Sequence, residues 1–341
     1  MKTGRTIQEL AIELDRQQKS KRDFMVPANK IEAYAHVGVL ELGFAFNKDG
    51  DHFSGSLTEN GHNQLGQYCN IPAKYYDLMK ASSGELLAAN VKHWLSRSTD
   101  RRFVRSLDGN VRALLSDKYR RLDNFDLAQH ILPIIGEAEA VVESSEITEN
   151  KLYIKAITHK VQAEITVGDV VSAGIMVSNS ETGHGSLSVK PFIYRLVYRN
   201  GAVAEDYSMR KYHAGRANEM EQIEFSNETL KADDHAFWLK VRDLVKHSMS
   251  QVTFEKIVDS MRESTKRVIS QPEYAIELAS DKYKLNQSEQ SDVLKHLIEG
   301  GSLTSWGLGN AITRAAHDVD SYDRSTELES IGYQVMLGNW N

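Results

Sequence analysis

Apolar residues change their spacing along the chain, and each change marks an element. Tyr34 to Phe46 reads as a buried strand or strand pair, and the polar run Asn47-Lys48-Asp49-Gly50-Asp51 after it reads as a turn. Asn63 to Leu95 is helical text punctuated at Ile71-Pro72, with Leu86, Leu87, Val91 and Leu95 spaced for one face. From Arg101 to Ser116 the period falls to two. Two alternating runs flank Asp108-Gly109, a dipeptide suited to a type I′ loop because both positions must take positive φ. Counting outward from that loop pairs Leu107 with Asn110, Ser106 with Val111, Arg105 with Arg112, Val104 with Ala113 and Phe103 with Leu114. One face of the hairpin then carries Val104, Val111, Ala113 and Leu115. The other carries Arg101, Phe103, Arg105, Arg112 and Leu114.

A helix is predicted from Asn124 to Ile135, with strands at Ala140 to Ser144, Lys151 to Thr158 and Val170 to Ser178. The loop Ser178-Asn179-Ser180-Glu181-Thr182-Gly183-His184-Gly185 separates the last of these from Ser186 to Val189. Over 191–199, Pro191 at one end and Asn200-Gly201 at the other favour a short helix, although Phe192, Tyr194, Leu196 and Tyr198 also alternate as a strand would. Beyond Ala217 the pattern is helical: Phe237, Val241, Leu244 and Val245 share a face, as do Phe254, Ile257, Val258 and Met261. Asn286 and Glu289 resemble a capping box, and Gly300 lies where a C′ residue belongs. The expected fold class is α+β, an antiparallel sheet with packed helices followed by a helical C-terminal region. Pattern changes divide it into a mixed strand and helix segment over 1–60, an α+β core with a basic hairpin over 61–216, and a helical region over 217–341.

At 341 residues the chain can bury a core without disulfides or metals. Its formal charge of −6, from 41 Lys and Arg against 47 Asp and Glu, excludes a uniformly basic nucleic-acid coat protein and leaves only local patches to consider. The single cysteine, Cys69, excludes an internal disulfide framework, and nothing adjacent marks it as reactive. No apolar segment follows the N-terminus and no run approaches the ~20 apolar residues of a span, so a cytoplasmic protein with no membrane partner is expected.

Three constellations bear on chemistry. The first is the hairpin. Like charges directly opposed across a strand pair are destabilising, so Arg105 beside Arg112 is a cost that a bound anion would relieve. Between Lys92 and Arg121 stand nine basic residues (Lys92, Arg97, Arg101, Arg102, Arg105, Arg112, Lys118, Arg120, Arg121) against Asp100, Asp108 and Asp117. Phe103 and Tyr119 lie among them, and rings interleaved with cations suit unpaired bases and their phosphates. In the competing reading, acidic residues such as those from Glu137 to Glu149 neutralise these arginines internally. The second is the 178–190 loop with its sequel: Asn179, Ser180, Thr182, Gly183, Gly185, Ser186, Lys190, Arg195, Arg199, Arg210, Lys211, His213 and Arg216. Small donors, glycines and cations suit phosphate oxygens; a plain hairpin loop is the alternative. Neither nucleotide-binding glycine spacing occurs, so nucleotide hydrolysis lacks support. The third, His317, Asp318, Asp320 and Asp323, invites a metal. An EF-hand frame there fails, with Tyr322 where an oxygen ligand belongs and Asp323 where glycine is needed, and a solvated acidic helix end competes. No cofactor motif is found.

Three stretches carry a family resemblance: Val104 to Asn124 (VRSLDGNVRALLSDKYRRLDN), Ile175 to Val203 (IMVSNSETGHGSLSVKPFIYRLVYRNGAV) and Thr304 to Met336 (TSWGLGNAITRAAHDVDSYDRSTELESIGYQVM). With the helical text between them, the chain after about residue 55 resembles a phage- and plasmid-borne family catalogued as a domain of unknown function. The family often has cysteine where Tyr198 stands here, so a thiol role would not carry over. The resemblance implies a mobile-element protein in a bacterial cytoplasm and brings no established reaction. The order helix, hairpin, strands, helix is similar to the core of single-strand annealing proteins, an analogy at fold level only.

Together these readings predict a nucleic-acid-binding protein, with single-stranded DNA the favoured partner, serving phage or plasmid DNA recombination. The contacts would be Arg101, Phe103, Arg105 and Arg112, extended by Lys118, Tyr119, Arg120 and Arg121, with Asn179, Ser180, Lys190, Arg195, Arg199, Arg210, Lys211 and His213 as a second group. The alternatives are a metal-dependent hydrolase or nuclease with His317, Asp318, Asp320 and Asp323 as ligands, and a host-protein-binding or anti-defence protein. A homo-oligomer is compatible with each.

Overall fold

The computed structural model describes residues 1–47, 50–119, 121–204 and 227–340. Helix α1 (Ile7–Ser20) opens with a reciprocal cap: the Thr6 hydroxyl accepts the Glu9 amide and the Glu9 carboxylate accepts the Thr6 amide, satisfying donors that a helix start leaves open. Strand β1 (Arg22–Pro27) follows, then an antiparallel sheet of β2 (Glu32–His36), β3 (Val39–Ala45) and β4 (His52–Ser56). Helices α2 (Glu59–Tyr68) and α3 (Ala73–Ser82) are separated at Ile71-Pro72, as the punctuation there predicts, and a further break at Ser83 sets off α4 (Gly84–Leu95). Leu87, Val91 and Leu95 of α4 are buried, while Leu86 faces solvent. Phe24, Phe44 and Phe53 meet with ring centroids 5.0–5.2 Å apart, joining β1 to the small sheet.

His62 of α2 sits in this region, buried, with its Nδ1 2.9 Å from the Tyr76 hydroxyl. Burial, aided by Lys80, pushes its imidazole down to about 4. A folded-state value below the unfolded 6.5 means that the unfolded chain takes the proton first. Stability is therefore full above pH 6.5 and falls as the pH drops towards 4. Urea midpoints across that window should fall in the native protein and fall less in His62→Asn; equal declines would contradict this assignment.

Strands β5 (Arg101–Leu107) and β6 (Asn110–Ser116) form the predicted hairpin, with Asp108 and Gly109 both at positive φ. Its first two pairs, Leu107 with Asn110 and Ser106 with Val111, are those expected. A β-bulge then leaves Arg112 unpaired, so that Arg105 faces Ala113, Val104 faces Leu114 and Phe103 faces Leu115. On its other side β5 pairs with β1, giving the order β1-β5-β6. The boundary drawn at residue 60 thus crosses a hydrogen-bonded sheet.

After α5 (Asn124–Glu137) come β7 (Val141–Ile147), β8 (Leu152–Glu164), β9 (Val170–Asn179), β10 (Ser188–Arg195) and β11 (Asn200–Val203), an antiparallel meander in the order β11-β10-β9-β8-β7. The helix expected over 191–199 is instead the end of β10 and a turn. Pro191 is tolerated because its carbonyl, which accepts from Ala204, points to the β11 side, and its missing N–H falls there too, where β11 ends. One sheet face, with Leu152, Ile154, Ile175, Val177 and Val189, is covered by α1, α5 and α6 (Asn227–Ser248).

Helices α7 (Gln251–Thr265), α8 (Pro272–Tyr283), α9 (Gln287–Gly300), α10 (Ser305–Ala315) and α11 (Tyr322–Leu337) complete the described chain. The Asn286–Glu289 capping box forms as expected. The left-handed residue closing α9 is Gly301, one position beyond the Gly300 predicted. Where α10 crosses α11, a Cβ on Gly309 would stand 2.6 Å from the Gly332 carbonyl oxygen, so two glycines set how closely the helices approach. This fixes α11 over the second sheet face, where Lys155 and Glu329, both fully buried, pair at 2.6 Å. The fold class is α+β, with antiparallel sheets and a helical C-terminal region. Among the described residues no helix is long and apolar enough to cross a membrane.

Candidate nucleic-acid interface

The two central hairpin arginines, Arg105 and Arg112, are already neutralised. Asp23 lies directly across from Arg105 on β1, and its carboxylate takes Nε and Nη2 of Arg105 at 2.9 and 3.0 Å. Asp123 accepts from the same Nη2 at 2.5 Å, and the Glu181 carbonyl accepts from Nη1 at 3.2 Å. Arg112 pairs with the Glu181 carboxylate, whose other oxygen takes the Asn124 amide at the start of α5. Arg105 is 0% exposed and Arg112 7%. Burial opposes the charge on Asp123, but hydrogen bonds from Arg121, Lys21 and Arg105 outweigh it and hold the carboxyl well below the usual range. Arg105 and Arg112 are therefore corrected from phosphate contacts to a buried network. Their partners are Asp23, Asp123 and Glu181, not the 137–149 segment.

The other expected contacts divide. Arg101 and Lys118 are exposed, whereas Arg121, half-exposed, pairs with Asp123. Phe103 and Tyr119 stack on each other at 6.4 Å and are only partly accessible, with the Tyr119 hydroxyl donating to the Ser180 carbonyl. Asn179 and Ser180 are corrected to structural roles: both are buried, Asn179 donating to Leu122 and Asn124 and Ser180 to the Asn150 carbonyl. Arg195 forms a two-pronged pair with Asp169 and lies against the Tyr198 and Trp306 rings. Arg199 is exposed in the turn before β11. Arg120, Arg210, Lys211, His213 and Arg216 lie outside the described residues. The 178–185 loop is thus a seam, held to α2 by Asn60 and Gln64 and to the hairpin by Glu181.

The metal candidates do not converge. Asp323 accepts from Thr148 and Asn150, Asp318 from His296, Asp320 is exposed, and His317 meets the Met1 amino group. Among the described residues no three His, Cys, Asp or Glu side chains are grouped to hold a metal ion.

What the sheet does leave open is a groove of about 940 Å³ between its second face and α11. Antiparallel pairing aligns Tyr153, Ser178 and Ser188 in one row of the floor and Met176 with Lys190 in the next, where the third partner, Lys155, is wholly buried and does not line the groove. Helix α11 supplies one wall through Asp323, Thr326, Glu327 and Ser330, and the end of α8 supplies another through Lys282, Tyr283 and Lys284. Lys151 and His184 also line the groove. Burial, with Lys151 beside it, lowers the His184 pKa, so the ring is neutral near pH 7. Five cations line the groove among the described residues, Lys151, Lys190, Lys282, Lys284 and Arg324, against Asp323 and Glu327. Both carboxylates are engaged, Asp323 by Thr148 and Asn150 and Glu327 by Arg324. Arg324 is itself tied to Glu289. Of the expected contacts among the described residues, only Lys190 lines this groove. Lys151, Lys282 and Lys284 carry no local signal, since β8 and the α8–α9 turn meet only through the tertiary fold.

No curated protein and no solved structure matches the chain. The family model described as a domain of unknown function, DUF932, matches residues 113–330, which run from within β6 to within α11 and contain most of the groove. With well over half its length inside that match, the chain belongs to the DUF932 family.

Proposed function

We propose that this chain binds single-stranded nucleic acid, DNA being the favoured form, in the groove between the five-stranded sheet and α11, as a mobile-element protein of a bacterial cytoplasm. The observation that carries the reading is the excess of lysines around a hydroxyl-lined groove in a chain whose total charge is −6. Cations tracking a backbone, with polar floor groups and one partly accessible ring at Tyr283, match the chemistry of single-strand sites. At about 940 Å³ the groove lies at the upper end of small-molecule pockets and opens at its mouth, as a polymer site requires. The hairpin no longer supports the reading, because its two central guanidinium groups are consumed internally.

Fluorescence anisotropy with a labelled oligothymidylate tests it. Each phosphate neutralised contributes about −0.7 to the slope of log affinity against log salt on single strands, so several lysine contacts should give a slope near −2 to −3. Lys151→Glu with Lys284→Glu should weaken binding by about tenfold or more at low salt and flatten that slope. Absence of binding at low salt, or binding indifferent to both reversals, would refute the proposal.

A further inference from the structure

We infer that the groove takes its strand with the nucleoside parts turned down to the floor and the phosphates along the rim, an orientation that rests on the strand-binding reading above. Exposure falls from the lysines at the end of α8 to the neutral polar groups of the floor and of α11. Lys282 and Lys284 are exposed and Lys151 half-exposed, while the floor and the foot of α11 offer Ser178, Ser188 and Thr326. Lys155, beneath the floor, is consumed by Glu329, and Lys190 stands half-exposed at the floor's far edge.

Thr326 decides the orientation. It lines the groove, is 5% exposed, and its Oγ1 has no hydrogen-bond partner. A buried hydroxyl left unpaired is uncommon because its desolvation is not compensated. A phosphate chain held by the rim lysines would leave it so. A base edge reaching the floor, or in RNA a ribose 2′-hydroxyl, would complete it, since a threonine hydroxyl both donates and accepts. In a duplex the Watson–Crick edges are already paired and the remaining base edges lie recessed between two phosphate backbones, so it does not offer rim and floor their ligands together. The same arrangement therefore selects single strands and rejects both duplexes and bare polyphosphate.

Thr326→Val separates the possibilities because it keeps the side chain's shape and removes only the hydroxyl. The melting temperature of the free variant should be unchanged or higher, as the replacement deletes an unpaired buried polar group. Its affinity for the labelled single strand should fall about three- to tenfold, the range for one hydrogen bond. Inorganic polyphosphate of matched charge should compete about tenfold less well than unlabelled strand against the wild type, and should bind the variant and the wild type alike, as should the matched duplex. Unchanged strand affinity in the variant, equal losses for strand and polyphosphate, or a marked drop in melting temperature would each overturn the orientation. In those cases sensitivity to the Lys151 and Lys284 reversals would leave the groove as the strand site. Failure of every ligand to bind would overturn both.

Discussion

Arg105→Met is expected to lower the unfolding free energy by about 3–5 kcal/mol, among the largest losses a single substitution in this chain can produce. The guanidinium is wholly buried and holds Asp23 and Asp123 together, with the Glu181 carbonyl as a third acceptor. Its removal leaves two carboxylates short of a partner, Asp123 buried and Asp23 nearly so. Lys21 and Arg121 still contact Asp123, which keeps the loss from being larger. Arg101→Met, on the same strand but exposed, should change stability by less than about 0.5 kcal/mol. Equilibrium urea unfolding of the two variants checks the contrast. Similar midpoints would mean that Arg105 is solvated and available to an external anion.

The second large effect is expected at the pair under α11. Lys155→Met alone should cost about 3–5 kcal/mol, because the buried Glu329 carboxyl would lose the partner that satisfies it. Adding Glu329→Leu should recover most of that loss, since a buried ion pair replaced by apolar side chains of similar volume is often neutral in stability. Two observations favour recovery. The second carboxylate oxygen of Glu329 has no hydrogen-bond partner, so the pair is incompletely satisfied. The carboxyl is also pushed up by burial, which outweighs the attraction of Lys155. A double variant as unstable as Lys155→Met would show that the pair is indispensable to this packing. Both the single and the double variant should bind strands through the rim lysines if they fold, because neither residue lines the groove.

Most elements were legible because each needs only local information. Asp108-Gly109 dictates its turn, Ile71-Pro72 its helix break, and Asn286 with Glu289 its cap. The register of the hairpin was not, for a definite reason. Counting from a turn assumes that no residue is extra, and Arg112 is the extra one, so the opposed arginines inferred from sequence never face each other. The acid that does face Arg105 arrives on β1, and nothing near residue 105 announces it. Over 191–199 the proline misled, because its compatibility with β10 depends on where β11 stops. The candidate groove was the least legible part. Its cations come from the start of β8, from β10, from the end of α8 and from α11, and only the stacking of α11 on the sheet gathers them.

Photocrosslinking with a 4-thiothymidine single strand, followed by mass spectrometry of the linked peptides, tests most directly where this protein holds its ligand. The groove account predicts adducts on peptides from β8, β9, β10, the end of α8 and α11, lost in Lys151→Glu with Lys284→Glu. Adducts confined to Arg101–Arg121, unaffected by that double reversal, would contradict it and return the interface to the hairpin.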